Sequence, residues 1–279
     1  MRKVELVKGI QSSALGFGCA PILGSVGTKT ALRALDCALD CGINHFDMAR
    51  SYGYGEAESF VGKVMKGKRD QVIIASKFGI TANWKAKILR PAKPLVRFVR
   101  EKLATNTSQK PVQITNTVAD RFHNRLVPDG KLMRKSLEES LRALGTDYLD
   151  YFFLHEPLQS VPDIDELTGI AEMLKTEGKI RAWGLAFMRA DEHLHHTYLN
   201  RFDVLQFDNS PGEKGYDAVV ADRGQKGNVI FSPLRGSTTN LQPIEKLGKV
   251  FNDFPNSVIL CSMFNEQHIK ENAALLNFN

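Results

Sequence analysis

Eight short apolar runs alternate with eight amphipathic stretches along this chain, and that alternation constrains the fold more than any other feature. Strand-like runs read at 15–19, 43–48, 72–77, 148–154, 180–185, 203–208, 228–232 and 257–261. Helical periodicity reads at 28–41, 56–66, 131–144, 163–177, 191–200, 213–225, 241–253 and 265–276. Runs such as VIIAS and YLDYFFL are apolar almost without a break, as strands covered on both faces must be. Strands and helices in alternation build a parallel sheet, and eight of each is the count of a closed (β/α)8 TIM barrel. A doubly wound open sheet is the alternative, but no glycine-rich nucleotide turn supports it. Ahead of the barrel, 3–7 and 12–16 read as a hairpin. Thr28, Asp163 and Asn265 stand where helix N-caps belong.

The length of 279 residues, 43% of them apolar, suits one barrel domain over 1–279. No apolar run reaches the roughly 18 residues of a membrane span, so no membrane partner is expected. The opening MRKVELVKGIQ lacks the apolar stretch of a signal peptide, and a cytoplasmic location follows as the expectation. Cys19, Cys37, Cys41 and Cys261 have neither disulfide-framework nor metal spacing. Cys37 and Cys41, one helical turn apart, read as buried helix positions.

One stretch breaks the alternation. Residues 80–130, after the third strand, are too long for an ordinary βα loop. They contain Pro91, Pro94, Pro111 and Pro128 and one patterned segment, LVRFVREKL at 95–103, read as a basic helix. Residues 81–135 hold thirteen Lys/Arg against three Asp/Glu, a net +10 within a chain of net +6. In a barrel this excursion lies on the C-terminal face, where substrates enter. Its charge fits a solvated loop, an anionic substrate or an acidic docking partner. Trp84 and Phe98 are too few to make a stacking surface for nucleic acid, and none is expected as a partner.

Four polar residues fall at or just beyond the ends of three successive strands: Asp47, Tyr52 in RSYGYG, Lys77 and His155. In a barrel those ends converge on one mouth. Singly, each has an ordinary explanation as a turn cap, a loop aromatic or a solvated strand end. Together they form an acid–base set. A phenol titrating near pH 10 is a poor acid at neutrality, and a neighbouring ammonium, Lys77, is expected to lower that value.

The segments GINHFDMARSYGYGEAESFVGK, VIIASKFG, SLEESLRALGTDYLDYFFLHEP, EGKIRAWGL and VIFSPLRG resemble the successive motifs of the aldo-keto reductases. The likeness runs in register from about residue 13 to 272, apart from the insert. It implies an oxidoreductase exchanging a hydride between a nicotinamide cofactor, NADP(H) ahead of NAD(H), and a small carbonyl, alcohol or sugar. Asp47, Tyr52, Lys77 and His155 match the family's catalytic tetrad, with Tyr52 as general acid and base. The resemblance also implies that Gly18, Cys19 and Ala20 lie near the nicotinamide ribose, and that Gln206 meets the carboxamide. Ser232, Leu234, Arg235 and Gly236 would follow the pyrophosphate. Ser262, Asn265 and His268 fall in the segment matched to the adenosine phosphate, and Glu271 and Asn272 match the adenine pair.

Three departures stand out. Ala186 and Phe187 replace the usual Ser-Asn pair at the end of the fifth strand. Phe264 and His268, beside Glu266, stand where a basic residue is common. The seventh helical unit is short, leaving the cofactor less enclosed. The first and third departures motivate a rival reading, a nucleotide-sensing or scaffold barrel without turnover, against which the intact tetrad argues.

Other signals carry less. GKVMKGK at 62–68 opens like a phosphate loop but continues with Arg69. No G-x-S-x-G elbow is present. His193, His195 and His196 lack acidic or thiol partners at metal-ligand spacing, and His45 reads as a core histidine.

Overall fold

The computed structural model describes residues 1–89, 122–216 and 226–276. In chain order its elements begin with β1 (Lys3–Glu5), β2 (Gln11–Ser13), β3 (Leu15–Gly18), α1 (Thr28–Asp40), β4 (His45–Asp47), α2 (Ala57–Val64) and β5 (Ile73–Phe78). Next come β6 (Ile80–Ala82), α3 (Trp84–Leu89), β7 (His123–Arg125), α4 (Gly130–Leu144), β8 (Leu149–His155) and α5 (Ile164–Thr176). The chain closes with β9 (Ile180–Phe187), β10 (Val204–Asp208), β11 (Val229–Phe231), α6 (Pro243–Asp253), β12 (Val258–Cys261) and α7 (Glu266–Ala274).

Eight of these strands form the expected closed barrel, in the order β10-β11-β12-β3-β4-β5-β8-β9. Every pairing in the ring is parallel, and the pair of β12 with β3, Ile259 opposite Leu15, completes it. The all-buried patterns of β5 and β8 explain their unbroken apolar sequence. Inside the ring, large and small side chains interlock. A Cβ on Gly184 would stand 2.5 Å from the Phe153 ring, and one on Gly16 would stand 2.6 Å from Leu260. Both strands approach because glycine leaves that space.

The floor of the barrel is a neutral polar cluster. Ser12 Oγ lies 3.1 Å from His45 Nδ1 and 3.4 Å from the Tyr151 hydroxyl. Burial, and then the Lys77 charge, hold His45 down to about pKa 3. The expected core histidine is therefore neutral, with Nδ1 bonded and Nε2 without a partner.

The outer layer shows where local reading failed. Asp163 and Asn265 do cap α5 and α7 with their side chains. Thr28 does not cap α1: Gly27 occupies that position and no side chain bonds there. The expected helix 191–200 is instead two 3₁₀ turns, Arg189–Leu194 and Leu199–Arg201. His193 Nδ1 and His196 Nδ1 bond the carbonyls of Ala190 and His193, which a continuous α-helix would use itself. The helix expected at 213–225 falls mostly outside the described residues, and its described start, 213–216, is a turn.

The hairpin ahead of the barrel is shorter than expected, β1 with β2 only, since 15–16 belong to β3. The insert is not all loop. β6 and β7 pair antiparallel, Ile80 opposite Arg125, and close the base of the excursion. Its expected basic helix at 95–103 lies outside the described residues. Among the described residues no helix is long and apolar enough to cross a membrane.

Candidate active site

Three parallel neighbours, β4, β5 and β8, deliver Asp47, Lys77 and His155 to the C-terminal mouth of the barrel. All three side chains are buried. Tyr52 arrives from the loop after β4. Its short 3₁₀ turn, Tyr52–Tyr54, has Gly53 at φ 61° and closes with Gly55 at φ 82°. A Cβ on Gly53 would meet Ile22 O at 2.6 Å, so both the conformation and the space call for glycine.

Lys77 is the centre of the set. Its Nζ donates to Asp47 Oδ2 at 2.6 Å, to the Met48 carbonyl at 2.8 Å and to the Tyr52 hydroxyl at 3.2 Å. Gln206 Nε2 donates to the other Asp47 oxygen at 3.1 Å. The Tyr52 and His155 rings meet edge to face, centroids 6.1 Å apart. Burial opposes a charge on Lys77, but Asp47 and Tyr52 outweigh it and hold the ammonium above its ordinary value.

Tyr52 corrects the sequence expectation. Burial pushes its phenol up to about 12, and Asp47 and Glu156 add to the rise; the downward pull of Lys77 does not overcome them. His155 is held well below the imidazole range, by burial first and then by Lys77, Arg125 and His123. It is neutral at pH 7, and its buried Nδ1 has no hydrogen-bond partner.

The loop that carries Tyr52 is clamped from behind. Arg50 pairs with buried Glu58 on α2 and, at 3.0 Å, with Glu139 on α4. Glu58 also accepts from Ser76 Oγ at 2.6 Å, next to Lys77. Sequence reasoning missed this clamp, although an acidic residue on the apolar face of α2 was a signal for it.

The four residues open onto a cavity of about 910 Å³. Gly18, Ala20 and Gln206 line it beside them, then Ser232, Leu234 and Arg235 after β11, and Ser262, His268, Glu271 and Asn272 at the far end. Three residues singled out from sequence are not part of that wall. Cys19 is buried, its Sγ 3.7 Å from the Phe17 carbonyl. Gly236 is tied down behind the turn, its N–H donating to Ser210 Oγ at 2.9 Å. Asn265 spends its side chain capping α7 through Gln267 and His268. Gln242, Pro243 and Ile244, at the start of α6, line the cavity without having been singled out.

A sequence model of the Aldo/keto reductase family matches residues 14–194. The chain belongs to that family. It is 34% identical over 184 residues to the aldo-keto reductase YhdN of Bacillus subtilis, a match covering 64% of this chain and 44% of that protein. It is 31% identical over 250 residues to the NADH-specific methylglyoxal reductase of Escherichia coli, covering 84% of this chain and 68% of that one. Among solved structures, an aldo-keto reductase from Bacillus halodurans in its holo form superposes with a TM-score of 0.69. That likeness has 23% identity and covers 100% of this chain and 92% of that one. A Klebsiella pneumoniae aldo-keto reductase in complex with NADPH gives 0.66 at 21% identity, covering 99% and 90%.

Against the aldo-keto reductase pattern, the replaced Ser-Asn pair now has a structural description. Ala186 lines the cavity at the end of β9. Phe187 is fully buried and packs on Phe207 and His195, centroids 5.8 and 5.9 Å away. Its ring fills an apolar space and offers no polar group to a ligand.

Proposed function

We propose that this aldo-keto reductase interconverts a carbonyl and an alcohol using a nicotinamide dinucleotide, with Tyr52 as proton donor in reduction and acceptor in oxidation. The observation that carries this reading is the Lys77 ammonium held between Asp47 and the Tyr52 hydroxyl at the wall of one cavity.

The dinucleotide fits an atom left unpaired. Gln206 Oε1 is buried at the cavity wall without a hydrogen-bond partner, and a carboxamide N–H₂ would satisfy it. Gly18 and Ala20 would border the ribose, Ser232, Leu234 and Arg235 the pyrophosphate, and Ser262, His268, Glu271 and Asn272 the adenosine. Cys19, Gly236 and Asn265 would support those segments from behind. Bound there, nicotinamide supplies or takes the hydride.

The chain's own residues handle the oxygen and its proton. With its pKa raised, Tyr52 keeps its proton at neutral pH and releases it only to a stronger base, such as a developing alkoxide. Lys77, 3.2 Å away, stabilises the phenolate left behind. Neutral His155 donates a ring N–H to the substrate oxygen and holds it beside Tyr52. Asp47 keeps Lys77 charged and in place.

Fluorescence titration with NADPH and NADH, followed by an aldehyde screen, tests the proposal. Micromolar binding of one nucleotide and turnover lost in Tyr52→Phe are expected. NADP(H) remains the family-based expectation, and the carboxylate of Glu266 near the adenosine end makes the comparison with NADH decisive. Ala186 and Phe187, standing where the family usually has its Ser-Asn pair, favour a non-catalytic nucleotide sensor as the second reading. Binding without turnover of any carbonyl would select it.

A further inference from the structure

We propose that Glu156 selects neutral, hydroxyl-bearing carbonyl substrates, accepting a hydrogen bond from a hydroxyl beside the reacting carbon and disfavouring anions. The inference rests on the reductase reading and names the substrate class of the same site.

Glu156 directly follows His155 and lines the cavity. Its φ of 42° lies in the left-handed region, which a side chain as long as glutamate rarely adopts. Such a backbone persists only where its surroundings over-determine it, and these conformations cluster at ligand sites. Here the surroundings are explicit. The Glu156 N–H donates to the Ala186 carbonyl at 2.7 Å, and the Glu156 carbonyl accepts from Arg125 at 2.7 Å. The backbone is therefore held at both ends.

The carboxylate is held much less. Arg125 approaches Oε2 at only 3.4 Å, longer than the 2.7–2.9 Å usual for a charged pair. Oε1 has no hydrogen bond to any described residue. The side chain is 28% exposed, with room to accept from a ligand.

Charge points the same way. At this end of the cavity, the charged residues among its described lining are Asp47, Lys77 and Glu156. Asp47 matches Lys77 at 2.6 Å, whereas Arg125 reaches Glu156 Oε2 only at 3.4 Å and from outside that lining, so the carboxylate that faces the cavity is the less closely matched of the two. A carbonyl oxygen placed on Tyr52 and His155 would have its neighbouring carbon in the same end of the cavity that Glu156 lines. A hydroxyl there gains an acceptor, whereas a carboxylate or phosphate meets repulsion. Most of the basic insert, whose charge suggested an anionic substrate, lies outside the described residues.

The test is steady-state kinetics of the full chain with propanal, glyceraldehyde and glyceraldehyde 3-phosphate, for wild type and Glu156→Gln. Wild type should favour glyceraldehyde over both others. In the variant, glyceraldehyde should lose about tenfold in kcat/KM, mainly through KM, as expected for a hydrogen bond to a charged group. Propanal should stay within about twofold, and the phosphate should gain. If Glu156→Gln does not fold, Glu156→Gly relieves the backbone and should give the same pattern. Equal losses on propanal and glyceraldehyde, or a wild-type preference for the phosphate, would overturn the inference and leave the reductase reading standing. Turnover of none of the three by wild type, with nucleotide bound, would overturn both.

Discussion

The two ends of the barrel interior use the same strands for opposite purposes. On β4, His45 belongs to the floor and Asp47, two residues on, to the mouth. On β8, Tyr151 belongs to the floor and His155 to the mouth. A period of two puts each pair on one face. At the floor, Ser12 from the hairpin meets both rings, and the cluster is buried and neutral. At the mouth, an ammonium and a carboxylate are equally buried; both ends hold an unpaired atom, His45 Nε2 at the floor and His155 Nδ1 and Gln206 Oε1 at the mouth, but His155 and Gln206 line the open cavity. Burial is common to both ends. What separates them is whether protein fills the space beyond.

The largest effect should follow from breaking the charged end. Lys77→Met leaves Asp47 buried with only Gln206, and losing one partner of a buried ion pair costs roughly 3–5 kcal/mol. Chemical denaturation should register that loss, and turnover should vanish with it. Adding Asp47→Asn should recover much of the stability but none of the turnover. Full stability in Lys77→Met alone would mean the pair is not held as tightly as its 2.6 Å contact implies.

Tyr52→Phe separates chemistry from architecture. Turnover should fall by about 10²–10⁴-fold, the span of general acid catalysis, while nucleotide affinity and Tm hold. Because the folded phenol is raised to about 12, carbonyl reduction by wild type should show no alkaline loss near pH 10 from this group. A limb at pH 10 would show that the ammonium governs Tyr52 after all.

Acid exposes the neutral end. His45 is depressed to about 3 from an ordinary 6.5, so the unfolded chain takes up its proton first. Its contribution to stability is complete above pH 6.5 and is lost as pH falls toward 3, at up to about 1.4 kcal/mol per pH unit. Denaturation midpoints measured across that window should decline, and His45→Asn should flatten the decline.

Much of this was legible in the sequence because it depends on local pattern. Unbroken apolar runs such as VIIAS mark strands covered on both faces, and eight of them leave one closed ring. Polar residues at strand ends then had to meet, and Asp47, Tyr52, Lys77 and His155 do. What escaped depends on contacts between distant segments. Nothing near RSYGYG reveals that burial would outweigh Lys77 at Tyr52, since that balance is set by the walls of the cavity. Residues 191–200 read as a helix but form 3₁₀ turns, with His193 and His196 bonding the Ala190 and His193 carbonyls. The strained backbone of Glu156 is visible only with Arg125, 31 residues earlier, beside it.

The smallest expected effect tests whether the floor is merely structural. Ser12→Ala removes the hydroxyl shared by His45 and Tyr151, at distances of 3.1 and 3.4 Å. A buried hydrogen-bonding group left without its partner costs about 1–3 kcal/mol, and the long contact to Tyr151 places the cost near the lower bound. Tm should fall by a few degrees, and kcat and KM should not move, because the mouth residues keep every bond they have. A change in kcat with Tm intact would mean that the floor and the mouth are coupled through β4 and β8. His45 would then influence Asp47 along their shared strand, and the division drawn between the two ends would have to be abandoned.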